Sequence, residues 1–212
     1  MSIIERQVAV LRRRGIGRIH IVVGYMAEQV IEAFAAARDD LHFILNPGYR
    51  TTNSVTSLAM ALPFLTDDFV YMPADLIFGE YFLAQALAGG APAMLVVDCA
   101  NPGGPEDMKA SLAGTRVLRV GRDVGAAPER VCYTGVFTIS GALIGQLRTE
   151  VAEYLASGKV QAYTTDVLNS MIGKGTIEAY ITDVSGRLWD EVDNLDDLRR
   201  VRRRFPDSMP AG

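Results

Sequence analysis

Ile4, Val8 and Leu11 recur at helical spacing, and three arginines followed by Gly15 predict that this opening helix ends on a left-handed residue. The next apolar positions are contiguous. IHIVV at 19–23 predicts a strand covered on both faces, because β-branched residues without alternation leave no side for water. Gly24-Tyr25 closes it, and AEQVIEAFAAA at 27–37 returns to the helical period. LHFIL at 41–45 predicts a second strand, ended by the turn Asn46-Pro47-Gly48. Asn53 is placed to cap a helix through 54–62, since its side-chain oxygen can accept an N–H of the first turn. Residues 67–78 read as a strand running into a polar loop at Pro73-Ala74-Asp75, followed by a helix near 80–88 and a strand at 93–99.

Strands alternating with helices predict a mostly parallel sheet with helices on both sides. From about residue 100 the rhythm changes: MKASL, TRVLRVG and VCYTGVFTI read as successive strands, a small antiparallel insertion beside the main sheet. Helices at 141–156 and 164–173, a strand at 176–182 and a last helix at 195–204 complete an α/β domain over 1–205, with a frayed tail at 206–212.

Composition narrows the classes of function. With 212 residues, 49% hydrophobic and 22% charged, the chain can bury a core without staples and is not a disordered polymer. Lys+Arg 21 against Asp+Glu 25 gives a net charge of -4, so no overall positive field attracts nucleic acid. No apolar run approaches membrane-spanning length, and the start lacks a secretory h-region. Cys99 and Cys132 stand apart, as reduced thiols of a cytoplasmic protein would.

In α/β sheets ligands collect beyond the carboxyl ends of strands, where Asp75 falls. An Asp there suits Mg²⁺, which takes one or two carboxylates and leaves its other positions to phosphate and water. Taken alone, Asp75 reads better as a turn residue bonding its own backbone. The acid-rich LWDEVDNLDDL at 188–198 supplies a second carboxylate: alternation puts Trp189, Glu191 and Asp193 on one face of an extended stretch, although capping of the last helix accounts for most of its acids. The loop at 46–58 enters a helix with many donors and suits a base edge or an anion, or is a turn plus cap. His20 and His42 read as packed residues, and the arginines at 12–14 and 199–204 as solvated helix ends.

The order of these segments is more specific than any one of them. IIERQVAVLRRRGIGRIHIVVGYMAEQV, NPGYRTTNSVTSLAMAL, VYMPADLIF, EDMKASL, YTGVFTIS, YTTDVLNSMI and LWDEVDNLDDL together resemble the nucleotidyltransferase superfamily, most of all its phosphocholine and inositol-phosphate cytidylyltransferases, over roughly residues 3–201. The resemblance implies a three-layer Rossmann-like fold with a mixed, mostly parallel sheet. It implies Mg²⁺ at Asp75 and Asp193, nucleotide contacts at Asn53 and Ser57, and substrate contacts at Lys109, Tyr163, Asp166 and Trp189. The implied reaction transfers a nucleoside monophosphate, from CTP by preference, to a phosphorylated alcohol or sugar phosphate with release of pyrophosphate.

The chain departs from that pattern at its start. Members of the family place a strand and a glycine-rich, triphosphate-wrapping loop ahead of the helix with which this chain opens. The resemblance therefore implies that IHIVV and FVYMP face a gap, which would favour self-association. It leaves three accounts of the departure: a truncated start, a split polypeptide, or a non-catalytic, partner-dependent remnant. A glycosyltransferase-like nucleotide-sugar binder is a further alternative, since such proteins also set an Asp-metal site beyond a strand.

Overall fold

The computed structural model describes residues 1–36, 39–125 and 129–205. The expected frayed tail at 206–212 and residue 37 of the second predicted helix lie outside them.

Helix α1 (Ile3–Arg13) starts with a reciprocal cap between Ser2 and Glu5 and ends at Gly15, whose φ of +79° permits the Ile16 N–H to return to the Leu11 carbonyl at 3.0 Å. Strands β1 (Ile19–Val23) and β2 (Leu41–Leu45), joined through α2 (Ala27–Glu32), pair in parallel with Ile21 opposite Phe43. Only one face of β1 is well covered: Ile19, Ile21 and Val23 are buried, whereas His20 and Val22 are half-buried. Helix α3 (Ser54–Ala61) follows, capped by Asn53, whose Oδ1 accepts the Ser54 N–H at 2.7 Å.

The chain continues through β3 (Phe69–Tyr71), β4 (Leu76–Phe78), α4 (Glu80–Ala86), β5 (Ala93–Asp98), β6 (Lys109–Ala113), β7 (Arg116–Gly121) and β8 (Arg130–Ile139). It ends with α5 (Ile144–Ala156), α6 (Thr164–Gly173), β9 (Tyr180–Asp183), β10 (Trp189–Glu191) and α7 (Leu195–Arg204). The strand expected from 176 thus begins four residues later, at Tyr180.

The expectation of an open, mostly parallel Rossmann-like sheet is overturned. Strands β5, β9, β7, β6 and β8 pair successively, and β8 pairs back to β5, closing a five-stranded barrel to which β3 is added along β8. Of these contacts β5–β9 is parallel, and β5–β8, β6–β7, β6–β8, β7–β9 and β3–β8 are antiparallel. The segments read as a small insertion are staves of the barrel.

A bulge in β8 explains the closure. Opposite Val96, β8 carries Thr134, Gly135 and Val136 between the register pairs Val97–Tyr133 and Leu95–Phe137. Gly135 has φ +80°, and the Thr134 hydroxyl donates to the Val96 carbonyl that the bulge would otherwise strand. The bend lets one half of β8 pair with β3 and the other with β6.

Two apolar cores result. One fills the barrel and continues under α3, α5 and α6 through Leu95, Leu112, Tyr133, Phe137, Leu147 and Leu168. The other joins α1, β1, β4 and α4 through Val8, Ile21, Leu76 and Phe82. Among the described residues, β1 pairs with β2 and β3 with β8, and no ladder joins β1 to β3. Between them lies a cavity of about 690 Å³ lined by Val8, Leu11, Ile21, Leu58, Phe69 and Tyr71.

Candidate active site

The β3–β4 loop carries Asp75, and the short antiparallel ladder of β4 with β10 brings the second acidic segment to it. Glu191 lies opposite Leu76, and the Val192 N–H donates to the Asp75 carbonyl at 3.1 Å. Asp193 is the next residue. Its charge reaches Asp75, whose carboxyl is raised above the usual carboxylate range by burial first and by Asp193 in addition, against a backbone hydrogen bond that lowers it. Asp75 is exposed, although the protein around it still displaces part of its hydration.

Glu191 shares this environment. Burial, then the charges of Asp75, Asp193, Asp107 and Asp190, push its carboxyl up to about 7. The neighbouring Asp190 behaves oppositely. Burial disfavours its charge, but hydrogen bonds from Arg200 and Arg204 of α7 outweigh that and hold it below the usual range. The alternating strand therefore sorts its acids: Asp190 faces arginines, whereas Glu191 feels the charges of Asp75 and Asp193. Among the described residues, no lysine or arginine forms an ion pair with Asp75, Glu191 or Asp193.

Lys109 sits at the start of β6, opposite Cys132 in register, and is 9% exposed. Its Nζ donates to the Asp107 carbonyl at 2.8 Å, so the ammonium is anchored to the loop that precedes it. The Cys132 thiol is pushed up to about 12 by burial, then by Asp107, Glu191 and Asp98, with Lys109 opposing. These groups therefore surround one end of the barrel. Trp189 is half-buried, its indole N–H donating to Asp98 Oδ2 at 3.2 Å and its ring 6.4 Å from Phe82, so it belongs partly to the core.

The remaining expected residues form a second group. The Asn53 and Val55 N–H groups donate to the carbonyls of Val160 and Ala162, and the Thr164 N–H donates to the Ser54 hydroxyl. The first turn of α3 is thereby engaged with the entry to α6, and those N–H groups are not left for an anion. Asp166 caps α6 by accepting the Tyr163 N–H at 2.8 Å, and Tyr163 is 49% exposed. Ser57 lines the cavity between β1 and β3.

Tyr71 connects the two groups. Burial raises its pKa, the hydroxyls of Thr164 and Ser54 oppose that rise, and Asp75 adds to it. Tyr133 stands behind it with an unpartnered hydroxyl, raised by burial, Tyr71 and Glu191. Sequence reasoning assigned no role to Glu191, Asp107 or Tyr71. The Trp189-Glu191-Asp193 alternation was the available signal for Glu191, but nothing in sequence order pointed to Asp107 or Tyr71.

No protein-family profile matches the chain. It is 30% identical over 187 residues to the bifunctional protein GlmU of Azotobacter vinelandii, covering 82% of this chain and 39% of that protein. It is 28% identical over 204 residues to the bifunctional IPC transferase and DIPP synthase of Rubrobacter xylanophilus, covering 94% of this chain and 44% of that protein. The chain thus spans less than half the length of these curated relatives. Among solved structures, the inositol-1-phosphate CTP transferase of T. maritima superposes with a TM-score of 0.78 at 17% identity, over 95% of this chain and 80% of that one. The CTP:phosphocholine cytidylyltransferase of Streptococcus pneumoniae superposes with a TM-score of 0.72 at 18% identity, over 95% and 84%. The fold is therefore the one these solved transferases share. Its solved neighbours include the cytidylyltransferases just described. Among the described residues no helix is long and apolar enough to cross a membrane.

Proposed function

We propose that this chain is a nucleotidyltransferase unit that joins a nucleoside monophosphate, from CTP by preference, to a phosphorylated alcohol or sugar phosphate and releases pyrophosphate. The observation carrying this reading is that the charge of Asp193 reaches Asp75 while, among the described residues, neither acid forms an ion pair with a lysine or arginine, in contrast to the arginine-paired Asp190. Like charges brought together in this way favour a bound cation.

Among the described residues no group of three or more His, Cys, Asp or Glu side chains is arranged to hold a metal. Two carboxylates nevertheless fit Mg²⁺, which commonly keeps its other positions for phosphate oxygens and water. Asp75 and Asp193 would hold the ion, which when bound would neutralise charge on the α-phosphate. An acceptor phosphate oxygen forms a bond to the α-phosphorus while the bond to the β-phosphate oxygen breaks and pyrophosphate leaves. An ionised phosphate monoester needs no protein base to attack.

The chain's own residues would act by placement. Lys109 steadies the loop before β6 at the barrel mouth, Trp189 is fixed by Asp98, and Asn53, Ser57, Tyr163 and Asp166 border the α3–α6 junction where the nucleotide and acceptor are proposed to lie. The test is pyrophosphate release from CTP and Mg²⁺ with choline phosphate, inositol phosphate and hexose phosphates as acceptors. Release with one acceptor supports the reading, whereas a nucleoside diphosphate freed from a nucleotide sugar supplied in place of CTP would favour a nucleotide-sugar transferase.

A second reading is favoured by the cavity between β1 and β3. There the chain works as a partner-dependent module whose sheet is completed by an extended apolar segment. Fusing the strand and glycine-rich loop of a cytidylyltransferase ahead of Met1 tests it: activity in the fusion with none in the 212-residue chain supports this second reading.

A further inference from the structure

Gln7 interrupts the apolar face of α1 between Ile4, Val8 and Leu11, and is only 4% exposed. A buried amide is costly unless its donors are used, so its partners show why a polar group occupies that position. The Gln7 Nε2 donates to the carbonyls of Pro73 at 2.8 Å and Leu76 at 2.6 Å. Those carbonyls flank Ala74 and Asp75, while the Asp75 carbonyl itself receives the Val192 N–H. The loop is thus held from α1 on one side and from the end of β10 on the other.

Resting on the cation reading above, we infer that Gln7 is a positioning residue for Asp75: its amide clamps the main chain on both sides of that aspartate and so holds the carboxylate beside Asp193. A methionine fills nearly the same volume but donates nothing, leaving both carbonyls without their partner.

The test compares Gln7→Met with Leu11→Ala, a core truncation on the same helix that touches neither carbonyl. Free Mn²⁺ is followed by electron paramagnetic resonance, and exchange of the Val192 amide by NMR. Gln7→Met is expected to weaken Mn²⁺ binding about tenfold, as loss of outer support for metal ligands typically does. It should also speed exchange at Val192. Leu11→Ala should lower the melting temperature while leaving Mn²⁺ affinity and Val192 exchange relative to β10 unchanged. Should Gln7→Met fail to fold, Gln7→Asn, one methylene too short to reach both carbonyls, is read in the same way. Wild-type affinity and Val192 protection in the Gln7 variant overturn the role of Gln7 alone. Absence of Mn²⁺ binding to the wild-type chain overturns the cation reading together with its extension to Gln7.

Discussion

The main-chain N–H of Val192 donates to the carbonyl of Asp75 at 3.1 Å, and this bond sets Asp193 beside an aspartate 118 positions earlier in the chain. Backbone pairing between β4 and β10, rather than side-chain attraction, brings the two acids together. Folding therefore overcomes their repulsion, and relief of that repulsion is available to a ligand.

Removing one charge should expose this relief. CTP with Mg²⁺ is expected to raise the melting temperature of the wild-type chain; Asp75→Asn should abolish that rise and lower any pyrophosphate release at least about a hundredfold. The ligand-free variant should be no less stable than wild type. Differential scanning fluorimetry with and without nucleotide checks both stability statements.

Glu191 should give a pH signature of its own. Its folded carboxyl is pushed up to about 7, above the ordinary 4.5, so it favours the folded state below 4.5 and that contribution is lost as pH rises toward 7. At pH 8 Glu191→Gln is expected to be more stable than wild type by on the order of 2 kcal/mol, and the difference should vanish near pH 4. Urea denaturation at the two pH values measures it.

His20 should act in the opposite direction. Burial first, then His42 and Arg18, lower its pKa below the ordinary 6.5, so its neutral form is favoured in the folded chain. Stability from this group is fully present above pH 6.5 and is lost as pH falls through the folded value. The rings are in contact, Nδ1 to Nδ1 at 3.1 Å, and Phe64 stacks on His20. His20→Gln should flatten the fall in stability on the acid side of pH 6.5, as read from urea midpoints.

Gly135 should not tolerate a side chain. At φ +80° an alanine is strained, and its Cβ would lie 2.5 Å from Pro73 Cγ, in the loop that carries Asp75. Gly135→Ala is expected to cost about 2–4 kcal/mol of stability from backbone strain and overpacking together. A urea midpoint unchanged from wild type would refute that role for the bulge.

Local elements were more legible than their assembly. The capped starts of α3 and α7, the glycine that ends α1 and the apolar runs of β1 and β2 follow from short-range chemistry that sequence displays. The barrel was not legible because its closure depends on one bent strand: YTGVF reads as a continuous run, and a single glycine in it does not reveal three residues opposing one across a ladder. The second predicted helix is shorter among the described residues, with α2 regular only through Glu32. Likewise, the donor-rich start of α3 looked free in sequence, whereas the fold brings residues 160–164 against it. Asp75 and the acidic segment at 188–198 were readable as candidates, but the raised pKa of Glu191 depends first on its burial and then on the acids gathered around it, which sequence order does not display.

The central claim is that Asp75 and Asp193 hold one divalent cation, and Mn²⁺ titration followed by electron paramagnetic resonance in the presence of CTP tests it most directly. The wild-type chain is expected to bind one ion, with that binding lost in both Asp75→Asn and Asp193→Asn. Equal Mn²⁺ binding by wild type and both variants would contradict the account.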